Sequence, residues 1–152
     1  MKRVIVESPF AAEDKETFEQ HMLYLSLALR DCLERGEAPF ASHAIYTRDG
    51  VLDDLVPSER EWGIQAGFAW GNVAEATVVY TDCGISRGMQ YGIEAAEKAG
   101  RPVEHRSIRA KMATALAAEA VVKHMSQGGY KDSKYGLDFK RQQMRERVAA
   151  EE

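Results

Sequence analysis

The residues best suited to bind or transform a ligand lie in one loop, at positions 81–88. The apolar run from Val78 to Tyr80 precedes this loop, and a helix-like segment follows it as far as Gly100. Pro102 then begins another apolar run. This order of strand, loop, helix and strand predicts a parallel sheet, and loops at the carboxyl ends of parallel strands are where ligands bind.

Three polar side chains of this loop have chemistry that suits a binding site. Asp82 ends a buried strand, where a carboxylate is costly unless it has partners or a role. Ser86 is placed to cap the next helix, whose first N–H groups attract anions. Arg87 follows it, and a guanidinium at a helix N-terminus opposes the helix dipole. Capture of an anion explains Arg87 better than a purely solvated role does.

Two further positions combine polar and aromatic groups after predicted strands. Ser8 and Phe10 follow the first strand, where they either hydrogen-bond and stack on a ligand or simply form a turn into a helix. His43 either donates to a ligand oxygen or serves the core. No second histidine lies at a metal-ligand spacing from it, so we predict no metal and no cofactor. The candidate ligand contacts are Ser8, Pro9, Phe10, His43, Asp82, Ser86, Arg87 and Gly88.

The elements that position these residues alternate between strands and helices. The predicted strands are Arg3–Val6, Ala38–Tyr46, Ala76–Tyr80 and Pro102–His105. The predicted helices between them are Asp14–Arg35, a segment from Ser58 to about Gly71 or Asn72, and Ser86–Ala99. This order favours a small doubly wound α/β domain, a parallel sheet of four to five strands with helices on both faces.

Two of these helices have specific sequence signals. Ser58, followed three residues later by Glu61, forms a capping-box pattern that predicts a helix start. The predicted apolar face of that helix consists of Trp62, Ala66, Ala69 and Trp70. The predicted buried stripe of the next helix consists of Met89, Ile93 and Ala96.

The pattern changes after Ser107. Residues 108–125 are rich in alanine and valine and predict a long helix, and a charged helix is predicted over residues 133–150. A four-stranded sheet does not need this tail, so we expect it to pack on a neighbouring subunit or to lie on the surface. The predicted organisation is an α/β domain over residues 1–108 and a helical C-terminal extension over residues 109–152.

Composition narrows the class of protein. The chain has 152 residues, of which 45% are hydrophobic and 29% charged, as in an ordinary globular domain. A net charge of −4 argues against a general nucleic-acid binder. We expect no membrane span and no signal peptide, and a cytoplasmic location. The lack of a P-loop lysine pattern and of a Gly-x-Gly-x-x-Gly motif argues against ATP hydrolysis and ordinary NAD chemistry.

Four segments resemble the nucleoside 2-deoxyribosyltransferase-like group, especially its small phage and prophage proteins. They are VIVESPF (4–10), PFASHAIYT (39–47), EREWGIQAGFAW (59–70) and VVYTDCGISRGMQYGIEAAEKAGRPV (78–103). The resemblance covers roughly residues 3–108. It implies a Rossmann-like sheet, a nucleoside or nucleoside monophosphate in a loop-lined pocket, and homo-oligomers that share residues across a subunit interface.

The resemblance also implies a missing catalytic group. In enzymes of that group, a glutamate on the helix after the third strand attacks C1′ of the sugar and forms a glycosyl-enzyme intermediate. One alignment puts Gln90 at that position, and another, set by Ser86 and Gly88, puts Gly92 there. Neither residue is a nucleophile. The candidate catalytic carboxylates are therefore Asp82, as a general base, and Glu94, one helical turn past Gln90.

Three functions are compatible with these observations. The favoured one is a protein that binds a nucleoside or nucleotide, and the phage relatives suggest a phage protein that sequesters or senses a nucleotide signal. The second is an enzyme that cleaves the N-glycosidic bond of a nucleoside or nucleoside monophosphate. The third is an interaction protein in which the helical tail is the functional part.

Overall fold

The computed structural model describes residues 1–48 and 50–127, and side chains as far as residue 118. The strands are β1 (Lys2–Glu7), β2 (Glu37–Phe40), β3 (Ala76–Tyr80) and β4 (Val103–Arg106). The helices are α1 (Lys15–Glu34), α2 (Ser42–Ile45), α3 (Pro57–Gly71), α4 (Arg87–Lys98) and α5 (Arg109–Gln127). The helix predicted over residues 133–150 lies outside the described residues.

The four strands form one parallel sheet in the order β2-β1-β3-β4. Each strand is followed by a helix, as the alternating sequence pattern predicts, and the predicted α/β class is confirmed. Because β2 and β3 flank β1 on opposite sides, the chain changes direction across the sheet between β1 and β3. In open α/β sheets a crevice forms outside the carboxyl ends of the strands at such a point.

The strands bury both faces of the sheet. Val4, Val6, Val78 and Tyr80 belong to a core that includes α1 residues, whereas Val79 packs against Met89 and Ile93 of α4. All five residues of β3 are buried, as its unbroken apolar sequence predicts. The α4 stripe and the Ser86 cap are confirmed, since Ser86 Oγ accepts a hydrogen bond from the Met89 N–H at 3.3 Å.

The second predicted strand, Ala38–Tyr46, is too long. The strand ends at Phe40, and the next residues form the short helix α2, in which the Tyr46 N–H donates to the Ser42 carbonyl at 2.9 Å. The sequence from Ser42 to Ala44 lacks the β-branched residues that favour a strand. A local helical hydrogen bond therefore replaces further pairing, and His43 belongs to a helix and not to a strand.

The predicted capping box at the start of α3 is wrong. Pro57 is the first helical residue after Val56, no side chain caps this end, and the Glu61 carboxylate instead accepts from Gln65. Proline is favoured at this position because its fixed φ suits a helix start and it has no N–H to satisfy. Ser58 consequently lies inside the helix.

The apolar face predicted for α3 is also wrong. Trp62 is 65% exposed and Trp70 is 49% exposed. The helix instead packs through a stripe of glycines: a Cβ at Gly67 would lie 3.2 Å from Ser42 Cβ, and one at Gly71 would lie 3.0 Å from a guanidinium nitrogen of Arg101. The helix approaches its neighbours closely because these positions have no side chains.

A compact unit spans Met1–Ala113, and a second unit begins at Thr114. The described part of the second unit, residues 114–127, is helical. Over the described ranges 1–48 and 50–127, every helix is too short or too polar to cross a lipid bilayer.

Candidate functional site

A cavity of about 280 Å³ opens at the carboxyl end of β1 and extends to the N-terminus of α4. Its volume is close to the roughly 300 Å³ at which small-molecule sites begin. The predicted ligand contacts that line it are Ser8, Phe10, His43, Ser86, Arg87 and Gly88. Other lining residues were not among the predicted contacts, chiefly Glu7, Tyr46, Asp54, Glu59, Arg60 and Ile64. Segments far apart in the sequence thus meet where the strand order reverses.

Ser8 and His43 are paired on one wall of the cavity. The Ser8 Oγ lies 2.9 Å from the His43 Nε2, and Ser8 is buried. Burial lowers the pKa of His43 to about 4, so that the imidazole is neutral at pH 7. The ring of Phe10 meets the His43 ring edge-on, with centroids 6.1 Å apart. This wall offers an aromatic surface next to a hydroxyl and a neutral imidazole.

A second part of the cavity contains two arginines and a helix N-terminus. The first N–H groups of α4, from Arg87 and Gly88, have no acceptor within the helix. Arg87 Nε donates to the Tyr91 hydroxyl at 2.9 Å, which holds the guanidinium over the Tyr91 ring, one turn along α4. Arg60 is paired with Asp54, and its Nη2 lies 4.0 Å from where a Cβ on Gly88 would be. The Arg60 guanidinium therefore lies near the α4 N-terminus.

Glu7 supplies a carboxyl group to the cavity from the last position of β1. Burial raises its pKa to about 8, although the positive charge of Arg101 opposes this rise. Arg101 Nε donates to Thr77 Oγ1 at 2.9 Å, and its Nη1 donates to the Gly71 carbonyl at 2.8 Å. A signal for Glu7 was present in the sequence, because it is a carboxylate at the end of an apolar strand, as Asp82 is.

Asp82 does not line this cavity but joins three parts of the fold. Its carboxylate accepts hydrogen bonds from Ser107 Oγ at 2.6 Å, the Ile108 N–H at 2.7 Å and the Tyr24 hydroxyl at 2.9 Å. Burial alone would raise the pKa of Asp82, but these hydrogen bonds outweigh it and lower the pKa. The geometry therefore gives Asp82 a tethering task between α1, β3 and the start of α5.

The other two predicted site residues also lie outside the cavity lining. Glu94 is exposed on α4 and accepts a hydrogen bond from Gln90 Nε2 at 3.1 Å. Pro9 is buried between Ser8 and Phe10, where it ends the strand. Among the residues that the structure describes, no group of three or more histidine, cysteine, aspartate or glutamate side chains is arranged to hold a metal ion.

Comparison with known proteins relates this fold to one solved structure and one family. The structure is the 2-deoxyribosyltransferase of the psychrotolerant bacterium Bacillus psychrosaccharolyticus, a biocatalyst for nucleoside synthesis. The two chains superpose with a TM-score of 0.55 at 17% identity, over 69% of this chain and 72% of the other, which shows a shared fold. No curated protein matches the sequence. A family pattern matches residues 2–106, and the chain therefore belongs to the family described as a domain of unknown function, DUF7768.

Proposed function

We propose that the cavity binds a nucleoside 5′-monophosphate, and that the protein sequesters or senses this nucleotide. One observation carries the proposal: two guanidinium groups and a helix N-terminus share a small cavity with an aromatic wall. The arginines and the helix N-terminus suit a phosphate, and the aromatic wall suits a base. The distant fold similarity to a deoxyribosyltransferase supports a nucleoside-type ligand.

The phosphate is assigned to the N-terminus of α4. Backbone N–H groups at a helix start point toward an anion, and the helix dipole adds to their attraction. Gly88 leaves space above this helix end, with Ser86 Oγ 3.8 Å from where its Cβ would be. Arg60 and Arg87 line the same cavity from α3 and α4, and a guanidinium binds phosphate oxygens through two parallel N–H groups.

The nucleoside is assigned to the remainder of the cavity. Phe10 and His43 form the aromatic wall, and Ile64 and Tyr46 are further lining residues. Such a mixture of apolar surface and a few fixed polar groups is typical of small-molecule sites. Ser8, His43 and Glu7 are the polar groups available to ribose hydroxyls or base edges.

A second candidate function is cleavage of the N-glycosidic bond of the same nucleotide. The observation that favours it is the carboxyl group of Glu7 on the cavity surface, since carboxyl groups carry out glycoside cleavage as acids, bases or nucleophiles. The phage origin and the homo-oligomeric state remain predictions from the sequence resemblance.

Replacing Arg87 with alanine is expected to weaken binding of a deoxynucleoside 5′-monophosphate by roughly 10- to 100-fold, the effect of a lost charged hydrogen bond. The affinity for the corresponding nucleoside, which has no phosphate, should stay within a few-fold of the wild-type value. Isothermal titration calorimetry with both ligands measures this difference. Arg60→Ala is expected to act in the same direction.

The matched control is Arg3→Ala, which removes an arginine from the opposite end of β1, where its partner is the exposed Glu75. This variant should bind the monophosphate as the wild type does. Equal affinity of the wild-type protein for nucleoside and monophosphate would contradict the assignment of the phosphate. Failure to bind any nucleoside or nucleotide would contradict the proposed function itself.

A further inference from the structure

The direction of the Glu7 side chain follows from the sheet register. Glu7 pairs with Val79 on β3, and paired residues of neighbouring parallel strands point to the same face. Val79 packs on Met89 and Ile93 of α4, so Glu7 also points toward α4. The strand thus delivers a carboxyl group to the side of the sheet that α4 covers, at the carboxyl edge where the cavity opens.

Gly92 on α4 makes room for this carboxyl group. A Cβ at position 92 would lie 2.0 Å from Glu7 Oε1 and 2.4 Å from Glu7 Cδ, far closer than atoms can approach. Any side chain at position 92 would therefore displace the Glu7 carboxyl group. The helix lacks a side chain where the strand supplies an acid, and the two positions are complementary.

Glu7 is half-buried and differs in its partners from two more buried carboxylates. The Asp31 carboxylate accepts hydrogen bonds from Tyr80, Arg35 and Lys111, and that of Asp82 accepts three as well. Among the described side chains, those of residues 1–48 and 50–118, burial and the charge of Arg101 act on the Glu7 carboxyl group, and no hydrogen bond does. A carboxyl group that lines a cavity without such partners is a candidate for a functional role.

We propose that Glu7 is the catalytic carboxyl group of this cavity and that it cleaves the N-glycosidic bond of the bound nucleotide. This inference rests on the nucleotide binding of the proposed function, and it takes cleavage, the second candidate function, in place of sequestration or sensing. Gly92 lies one turn, about 6 Å, past Gly88 along α4. Because the Glu7 carboxyl group lies against Gly92, a phosphate at the helix start would leave the sugar of the nucleotide beside Glu7.

The reaction is a hydrolysis with water as the second substrate. The protonated Glu7 gives its proton to the departing base. At the same time the bond between C1′ and the base nitrogen breaks, and the electron pair of that bond stays on the base. The resulting carboxylate faces the positive charge that develops at C1′. A water molecule then bonds to C1′ through its oxygen and returns a proton to Glu7. The products are the free base and the sugar phosphate.

The protonation state of Glu7 suits this role. A pKa of about 8 leaves the carboxyl group mainly neutral at pH 7, so that it can act as a general acid. Arg101 and the charged or titratable residues that line the cavity are the groups that face Glu7. They are His43 of α2, Asp54 of the loop before α3, Glu59 and Arg60 of α3, Arg87 of α4, and Arg101 before β4.

The test follows release of free base by chromatography and binding by calorimetry, with ribonucleoside and deoxyribonucleoside 5′-monophosphates of the common bases. The wild-type protein is expected to release base at a rate that falls above about pH 8. Glu7→Gln, which keeps the side-chain shape, should slow release by roughly 10²- to 10⁴-fold, the contribution of a general acid. Its affinity should stay within a few-fold of the wild-type affinity.

Two further variants complete the experiment. Gly92→Ala should also slow base release, because the new methyl group displaces the Glu7 carboxyl group, whereas alanine itself favours the helix. Glu97→Gln, which removes an exposed acid from the same helix, should leave release unchanged.

Binding of a nucleotide without base release by the wild-type protein would overturn the role of Glu7 and leave the proposed function intact. Release that persists in Glu7→Gln but is lost in Glu94→Gln or Asp82→Asn would also overturn it. Absence of nucleotide binding would overturn both proposals.

Discussion

At pH 9 the Glu7→Gln variant is expected to be more stable than the wild-type protein, whereas at pH 5 the two should unfold almost together. The ordinary pKa of the Glu7 carboxyl group is 4.5 and the folded value is about 8. Between these values the unfolded chain has lost the proton and the folded chain keeps it. Stability of the wild-type protein therefore falls as the pH rises from about 4.5 to 8. Glutamine is neutral throughout and does not contribute this loss.

The expected difference in the free energy of unfolding at pH 9 is at most about 5 kcal/mol, reduced by the partial exposure of Glu7. Urea titrations followed by circular dichroism at pH 5, 7 and 9 measure it. Glu97→Gln, which removes an exposed acid from α4, serves as the control and should stay within about 0.5 kcal/mol of the wild-type protein. A Glu7→Gln variant that is less stable than the wild-type protein at pH 9 would contradict the described environment of Glu7.

The second large effect concerns the ion pair between Arg106 and Glu37. Arg106 Nη1 and Nη2 contact the two Glu37 oxygens at 2.6 and 2.8 Å, and these side chains are only 5% and 9% exposed. Arg106→Met leaves the Glu37 carboxylate buried without this partner. The expected loss of stability is about 3–5 kcal/mol, which equilibrium unfolding in urea measures.

Arg3→Met provides the matched control for this prediction. Arg3 pairs with Glu75 on the surface, where their side chains are 62% and 48% exposed, so the expected loss is below about 1 kcal/mol. The double variant Glu37→Met with Arg106→Met should recover part of the stability, because no unpaired charge remains buried. Equal losses of unfolding free energy in Arg106→Met and Arg3→Met would show that the buried ion pair stabilises the protein no more than the exposed one does.

Much of the fold could be predicted because its signals are local. The apolar run of β3, the Ser86 cap and the stripe of Met89 and Ile93 each act within a few residues. The prediction of the buried face of α3 failed because the two tryptophans dominate its apolar pattern. The residues that pack closely are glycines, which allow close contact because they have no side chain. Close approach of two elements is a tertiary property, and a sequence gives no direct sign of it.

The candidate site was predicted in part for the same reason. Ser8, His43 and Arg87 were selected because they follow predicted strands, and all three line one cavity. The carboxyl groups of Asp82 and Glu7 could not be ranked from the sequence. The partners that occupy Asp82 come from distant positions, such as Tyr24, 58 residues earlier. The space over Gly92 that admits Glu7 depends on how β1 and α4 lie against each other.

A crystal structure of the protein with a deoxynucleoside 5′-monophosphate tests the central claim most directly, because it locates the phosphate and the sugar together. We predict a phosphate that accepts hydrogen bonds from the N–H groups of Arg87 and Gly88, a base against Phe10, and C1′ in contact with the Glu7 carboxyl group. A nucleotide bound elsewhere, or one whose phosphate lies away from the start of α4, would contradict the account.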